Sequence, residues 1–206
     1  VYLQLPKEVH FDYPYLRSKL HNYQSPRDKI GQMIAKGEII RIKKGIYAVS
    51  PQYGGMVNIH SLANVVYGPS YISAESALSY WGMIPERVYE IISMTTGRRK
   101  QFKTPVGIFE YRHISVRAFN AGICIERTRA SSFLIATKEK ALCDIISTAQ
   151  GITSLKDVEG YIAGDLRIGK NSIDGLDAEL IENIAKVYRR KTVSLCARWL
   201  HRHKKT

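Results

Sequence analysis

Several residue sets in this chain have the chemical types of a reactive site, and their spacing argues against most of them. Phe109-Glu110-Tyr111-Arg112-His113 sets a carboxylate two residues from a guanidinium, the acid-x-base pattern of a nuclease strand. The same five residues alternate as a half-buried strand does, which puts Glu110 on a solvated face. His201 and His203 stand in a basic tail with no cysteine or carboxylate nearby in sequence. Asp174-Gly175-Leu176-Asp177 lacks the Asp-x-Asp spacing that holds Mg²⁺ in a nucleotidyltransferase. Cys124, Cys143 and Cys196 lack metal-ligand spacing. No Walker loop or GxGxxG loop occurs. The expectation is a protein that is not an enzyme and holds no cofactor or metal.

Charge is the stronger signal. The 206 residues carry 31 Lys+Arg against 18 Asp+Glu, a formal net charge of +13. A field of that sign attracts polyanions, nucleic acid first among them. The charge comes in blocks: residues 1–55 hold nine Lys/Arg and four acids, 98–117 hold six and one, and 186–206 hold eight and none. Residues 56–97 hold Arg87 alone against Glu75, Glu86 and Glu90. Blocked charge favours specific basic surfaces over a uniform coat. The stretch GEIIRIKKGIYA, 37–48, alternates apolar and polar, stops at Lys43-Lys44-Gly45 and alternates again. Two lysines at a hairpin tip serve either a phosphate contact or simple solubility.

The elements that must position these residues follow from periodicity. Residues 12–23 read as a helix with Tyr13, Leu16 and Leu20 on one side. Ser25-Pro26-Arg27-Asp28 opens a second: Ser25 can cap the free amides, Pro26 suits the first helical position and Asp28 makes a box-like arrangement. Ile30, Met33 and Ile34 form its buried stripe, and Gly37 suits the left-handed position after it. Strands 38–42 and 46–49 complete the order helix, turn, helix, hairpin of a winged helix-turn-helix. On the second helix Asp28, Gln32 and Ala35 point outward, flanked by Lys29 and Lys36 on one side and by Arg27 and Gly31 on the other. An exposed glycine costs about 1 kcal/mol relative to alanine, and it permits close approach of a partner. Gln32 can pair with an adenine edge or a phosphate.

Residues 51–57, with Gly54-Gly55, read as a linker. Beyond it the pattern predicts helices at 59–66, 73–81 and 138–147, strands at 88–94, 102–104, 108–114, 123–127 and 133–135, and helices at 155–162, 176–190 and 193–203. The expected fold is α/β (α+β) in two domains, a winged helix-turn-helix over 1–52 and a mixed α/β domain over 53–206 that is helical after about 150. Lys204 and Lys205 read as a frayed, solvated terminus. Residues 1–10 show no apolar leader, and no run approaches the ~18 apolar residues of a membrane span. With three distant cysteines, an odd number, the expected setting is a reducing cytoplasm.

Three stretches carry a family resemblance. IGQMIAKGEIIRIKKGIYA, 30–48, resembles the N-terminal winged helix of AbiEi-type antitoxins; YISAESALSYWGMIPERVYEI, 71–91, and ATKEKALCDII, 136–146, are similar to segments of their antitoxin domain. The resemblance implies a bacterial type IV toxin–antitoxin pair, in which the winged helix binds operator DNA and represses its own operon while the second domain counteracts a nucleotidyltransferase-like toxin. On that reading Ser25 anchors a helix start near a phosphate, and Arg27, Lys29, Gln32 and Lys36 meet the groove and its walls. Lys43 and Lys44 clamp a phosphate, with Arg41 beside them. Arg98, Arg99, Lys100 and Lys103 form a second basic surface that faces toxin or RNA, or else is a solvated loop. The alternatives are a winged-helix regulator with a sensing domain and a nucleic-acid enzyme such as a nuclease.

Overall fold

Residues 4–86 and 88–205 are described by a computed structural model; Arg87, counted above among the charges, lies outside them, as do residues 1–3 and 206. The first unit begins with strand β1 (Phe11–Asp12) and helix α1 (Tyr13–Lys19), where Asp12 accepts from Tyr15 N at 2.8 Å. The helix ends four residues before the sequence predicts, because Leu20 N is shared between the carbonyls of Leu16 and Arg17 and tightens the last turn. Helix α2 (Pro26–Ala35) buries Ile30 and Met33 and closes on Gly37 at φ 69°. Ser25, expected to cap α2, makes no side-chain bond to it. Its backbone, at φ −128° and ψ 87°, lies outside the extended geometry from which a cap reaches the first amides.

Strands β2 (Ile39–Lys43) and β3 (Ile46–Val49) form the hairpin, and β1 joins it to give the order β1-β3-β2. Both faces of this hairpin are covered. Ile39, Tyr47 and Val49 belong to a small core with Phe11, Leu16, Leu20, Ile30 and Met33. Ile42 and Ala48, from the other face, belong to the core of the second unit, with Ile40 and Ile46 packed against it. The alternation that reads as one buried and one solvated face is therefore two buried faces, and the hairpin is shared between the units. The register shifts between Arg41 and Lys43, and such a bulge re-aims the side chains that follow it.

The glycine pair after the hairpin is a fixed turn rather than a loose linker. A short 3₁₀ turn (Pro51–Tyr53) leads into Gly54 at φ 79°. A Cβ on Gly55 would lie 1.9 Å from Val49 O, so only glycine fits. Met56 N then donates to Lys7 O at 2.7 Å.

The second unit is built on a six-stranded mixed sheet. Its strands are β4 (Ser70–Ile72), β5 (Glu90–Thr95), β6 (Lys100–Thr104), β7 (Gly107–His113), β8 (Ile123–Arg127) and β9 (Ser132–Ala136), in the order β6-β7-β5-β4-β9-β8. The pairs β5–β7 and β4–β9 are parallel and the others antiparallel. Helix α3 (Ile59–Val66) packs on the sheet, and Tyr111 Oη donates to Ala63 O at 2.6 Å. Helix α4 (Ala74–Tyr80) packs against β5 and against α6 (Lys138–Thr148). A short α5 (Val116–Phe119) bridges β7 and β8. The C-terminal layer is α7 (Leu155–Gly160), a π turn (Tyr161–Asp165), α8 (Lys170–Asp174), α9 (Ala178–Tyr188) and α10 (Lys191–His203). The helix predicted over 176–190 starts later because Asp177 caps it, accepting from Glu179 N and Leu180 N at 2.9 and 3.0 Å. Among the described residues no helix is long and apolar enough to cross a membrane.

Candidate nucleic-acid interface

The outer face of α2 exposes Arg27, Asp28, Gly31, Gln32, Ala35 and Lys36, with Ser25 exposed just before it. Among the described residues nothing lies within 4 Å of a Cβ built on Gly31, so the middle of this face is low and open. Lys29, placed by the sequence on the flank of this face, is half-buried, and its Nζ sits 5.2 Å from the centroid of the Tyr23 ring. The hairpin exposes Arg41 and Lys44. Its tip is pinned, since Tyr13 N donates to Gly45 O at 3.2 Å.

Lys43 differs most from the sequence reading. After the bulge its Nζ donates to Val66 O at 2.7 Å and lies 4.8 Å from the centroid of Phe102. It ties the hairpin to α3 and β6 and is engaged inside the protein, whereas Lys44 faces solvent. Phe102 belongs to an aromatic cluster, 5.9 Å from Tyr67 and 5.8 Å from Tyr111, with Tyr67 and Tyr111 5.2 Å apart. Lys100 Nζ lies 4.7 Å from the Tyr67 centroid. Two lysines, one from each basic block, thus cap one aromatic cluster, and the structure brings the hairpin and the 98–103 block together at the joint of the units. Arg98 and Lys103 are exposed there.

Arg99 is exposed but paired, donating to Glu110 at 2.8 Å. Glu110 is buried, contrary to its expected solvated position, because α4 covers that face of the sheet and brings in Glu75. Arg112 bridges Glu75 at 3.0 Å and Glu110 at 3.3 Å. Burial alone would raise the Glu110 carboxyl, but Arg112 and Arg99 outweigh it and hold the carboxyl below its ordinary range. The acid-x-base pattern is thereby consumed in an ion network.

A second polar cluster, unseen in the sequence, lies on α6. Lys140 is 0% and Asp144 2% exposed. Asp144 accepts from Ser73 Oγ at 2.6 Å, from Tyr71 Oη at 3.0 Å and from Tyr188 Oη. Lys140 Nζ donates to Ala118 O at 2.5 Å and Tyr188 Oη at 2.8 Å, and lies 3.6 Å from Asp144. Burial raises the Asp144 carboxyl, opposed by Lys140 and the three hydroxyls, and it lowers the Lys140 ammonium, opposed by Asp144. The signal was present: Lys140 and Asp144 are one helical turn apart in a helix that also carries Ala141, Leu142, Ile145 and Ile146. The cluster is closed to solvent and fastens α9 to α6.

The C-terminal tail is also more engaged than its sequence implies. His201 and His203 meet Glu182 at 3.0 Å and Asp174 at 3.1 Å, and Lys204 donates to Asp174 O at 3.2 Å. Glu182 comes from α9 and Asp174 from the end of α8, 19 and 29 residues before the histidines they meet.

No protein-family model matches the chain, and no curated protein matches it. Among solved structures it is similar to the RV2827C protein from Mycobacterium tuberculosis, with a TM-score of 0.60 over 93% of this chain and 71% of that one, at 14% sequence identity. At that identity the likeness is one of fold.

Proposed function

We propose that this chain is a DNA-binding antitoxin of a type IV toxin–antitoxin pair, acting in the cytoplasm. Its first unit is read as a winged helix-turn-helix that binds duplex operator DNA and represses its own operon. Its second unit is read as the part that counteracts a nucleotidyltransferase-like toxin. The observation that carries the DNA reading is the meeting of two basic blocks at one joint, where Lys44, Arg98 and Lys103 are exposed around the lysine-capped aromatic cluster. Phosphate contacts from such a surface supply affinity without sequence information. The open face of α2, with Gly31 and Ala35 beside Gln32, supports groove entry and base contact. The toxin reading is supported by the family resemblance of residues 71–91 and 136–146.

Two assays test this. Purified protein is mixed with duplex DNA from upstream of its own gene and with a scrambled duplex, and specific binding is expected. The full chain is then expressed with the protein of the adjacent reading frame, and rescue of growth is expected. Specific binding without rescue favours a regulator. A specific feature makes that second reading worth the comparison: an 800 Å³ pocket beside α2, lined by Leu20, Met33, Ile39 and Val49 with Lys29 and Glu38, has the size and mixed lining of a small-molecule site.

A further inference from the structure

We propose that the groove between α9 and α10 docks an acidic amphipathic helix of a partner protein. The groove has a volume of 580 Å³ and a floor of Leu155, Ala185 and Ala197. Ala185 and Ala197 come from facing helices. Side chains this small let a third helix approach at the ~8–10 Å axial distance of ordinary helix packing. The rim carries Lys186, Arg198 and Lys205. Arg198 lies on α10 and Lys205 two residues past its end, in a turn that stays closed by Lys204 N on Leu200 O and Lys205 N on Arg202 O, so the two cations are seven residues apart, roughly two turns or ~10 Å. Carboxylates two turns apart on a helix lying in the groove would meet both. Glu182, the acid of the lining, is already held by His201 at 3.0 Å and Lys186 at 3.7 Å. Among the described residues no carboxylate pairs with Arg198 or Lys205.

Charge complementarity therefore selects an acidic occupant, and the floor selects its class. Sequence-tolerant binding of single-stranded nucleic acid uses aromatic platforms on which bases stack, and among the described residues the lining has no phenylalanine, tyrosine or tryptophan. An apolar floor of alanine and leucine between two helices suits the apolar seam of a third, the arrangement by which grooves capture amphipathic helices. This surface is separate from α2 and the hairpin, so the inference holds whether or not the first unit binds DNA.

The test uses the full chain and a fluorescent helical peptide of about 18 residues, with an alanine/leucine seam flanked by glutamates two turns apart. Controls are the same peptide with lysine in place of glutamate and a 12-nucleotide single-stranded RNA. Anisotropy should show the acidic peptide binding at least about tenfold more tightly than the lysine peptide. Arg198→Glu with Lys205→Glu should weaken it at least about tenfold, a loss of about 1.4 kcal/mol, with an unchanged thermal melt. Ser194→Trp, which fills the groove without altering charge, should weaken it to a similar degree. The proposal is overturned by no binding at 1 mM peptide, by equal binding of both peptides, or by charge-reversed or Ser194→Trp protein that binds as wild type does. Displacement of the peptide by an equal concentration of RNA overturns it in favour of a nucleic-acid groove.

Discussion

Asp144→Asn is the sharpest probe of what holds the second unit together. The substitution removes the carboxylate that pairs with Lys140, whose side chain is fully buried. Lys140 would keep Ala118 O and Tyr188 Oη as partners but lose its counter-charge. The new amide would also point a donor at a site where Ser73, Tyr71 and Tyr188 all donate. Breaking a buried pair from one side costs about 3–5 kcal/mol. Lys140→Met should cost less, because Asp144 retains three hydroxyl donors and can neutralise itself by taking up a proton. With both changes no unpaired charge remains, so the double variant should be more stable than the sum of the singles by at least about 2 kcal/mol. Urea unfolding followed by tryptophan fluorescence measures all four proteins, since Trp81 and Trp199 lie in the second unit. Singles that add to within about 0.5 kcal/mol of the double would show that Lys140 and Asp144 do not act as one unit.

Gly31→Ala meets no atom within 4 Å, so it should stabilise α2 by up to about 1 kcal/mol while weakening duplex binding, as measured by melts and anisotropy on one sample. Gly55→Ala should destabilise the protein by more than about 2 kcal/mol, because its Cβ would sit 1.9 Å from Val49 O; a wild-type melt would restore the flexible-linker reading. The Glu110 carboxyl is held below its ordinary value of 4.5 in the folded state, so its contribution is complete above about 4.5 and is lost as pH falls through the folded value. Glu110→Gln should therefore flatten the acid limb of a stability-against-pH curve, and an identical limb would rule out the ion network as its source.

Periodicity located the hairpin, α2, α3 and both helices of the C-terminal pair, because each has an apolar stripe of the right period. It missed β1 and β4, which have two and three residues and are held by pairing with distant strands rather than by any pattern of their own. The basic blocks were legible as charge, but their grouping was not. Lys43 and Lys100 converge on Tyr67 and Phe102 only through the packing of the hairpin on the second unit, and a bulge decides where Lys43 points. Glu110 shows the same limit: alternation gives the face of a strand, and only the tertiary fold says whether a helix covers that face. Lys140 and Asp144 belong to a helix that periodicity finds, yet their meaning depends on Tyr71 and Tyr188, which are 73 and 44 residues away from Asp144.

The most direct test of the central claim is the salt dependence of binding to duplex DNA from upstream of the gene. Lys36 and Lys44 are exposed and are read as phosphate-binding side chains, so Lys36→Ala with Lys44→Ala should lower the log–log slope by roughly 1.8, about 0.9 for each phosphate that is no longer neutralised. Lys43→Ala should leave the slope unchanged and lower stability by about 1–2 kcal/mol, because its bond to Val66 and its packing on Phe102 are internal. An unchanged slope in the folded Lys36/Lys44 variant, or no binding of that duplex by the wild-type chain, would contradict the account.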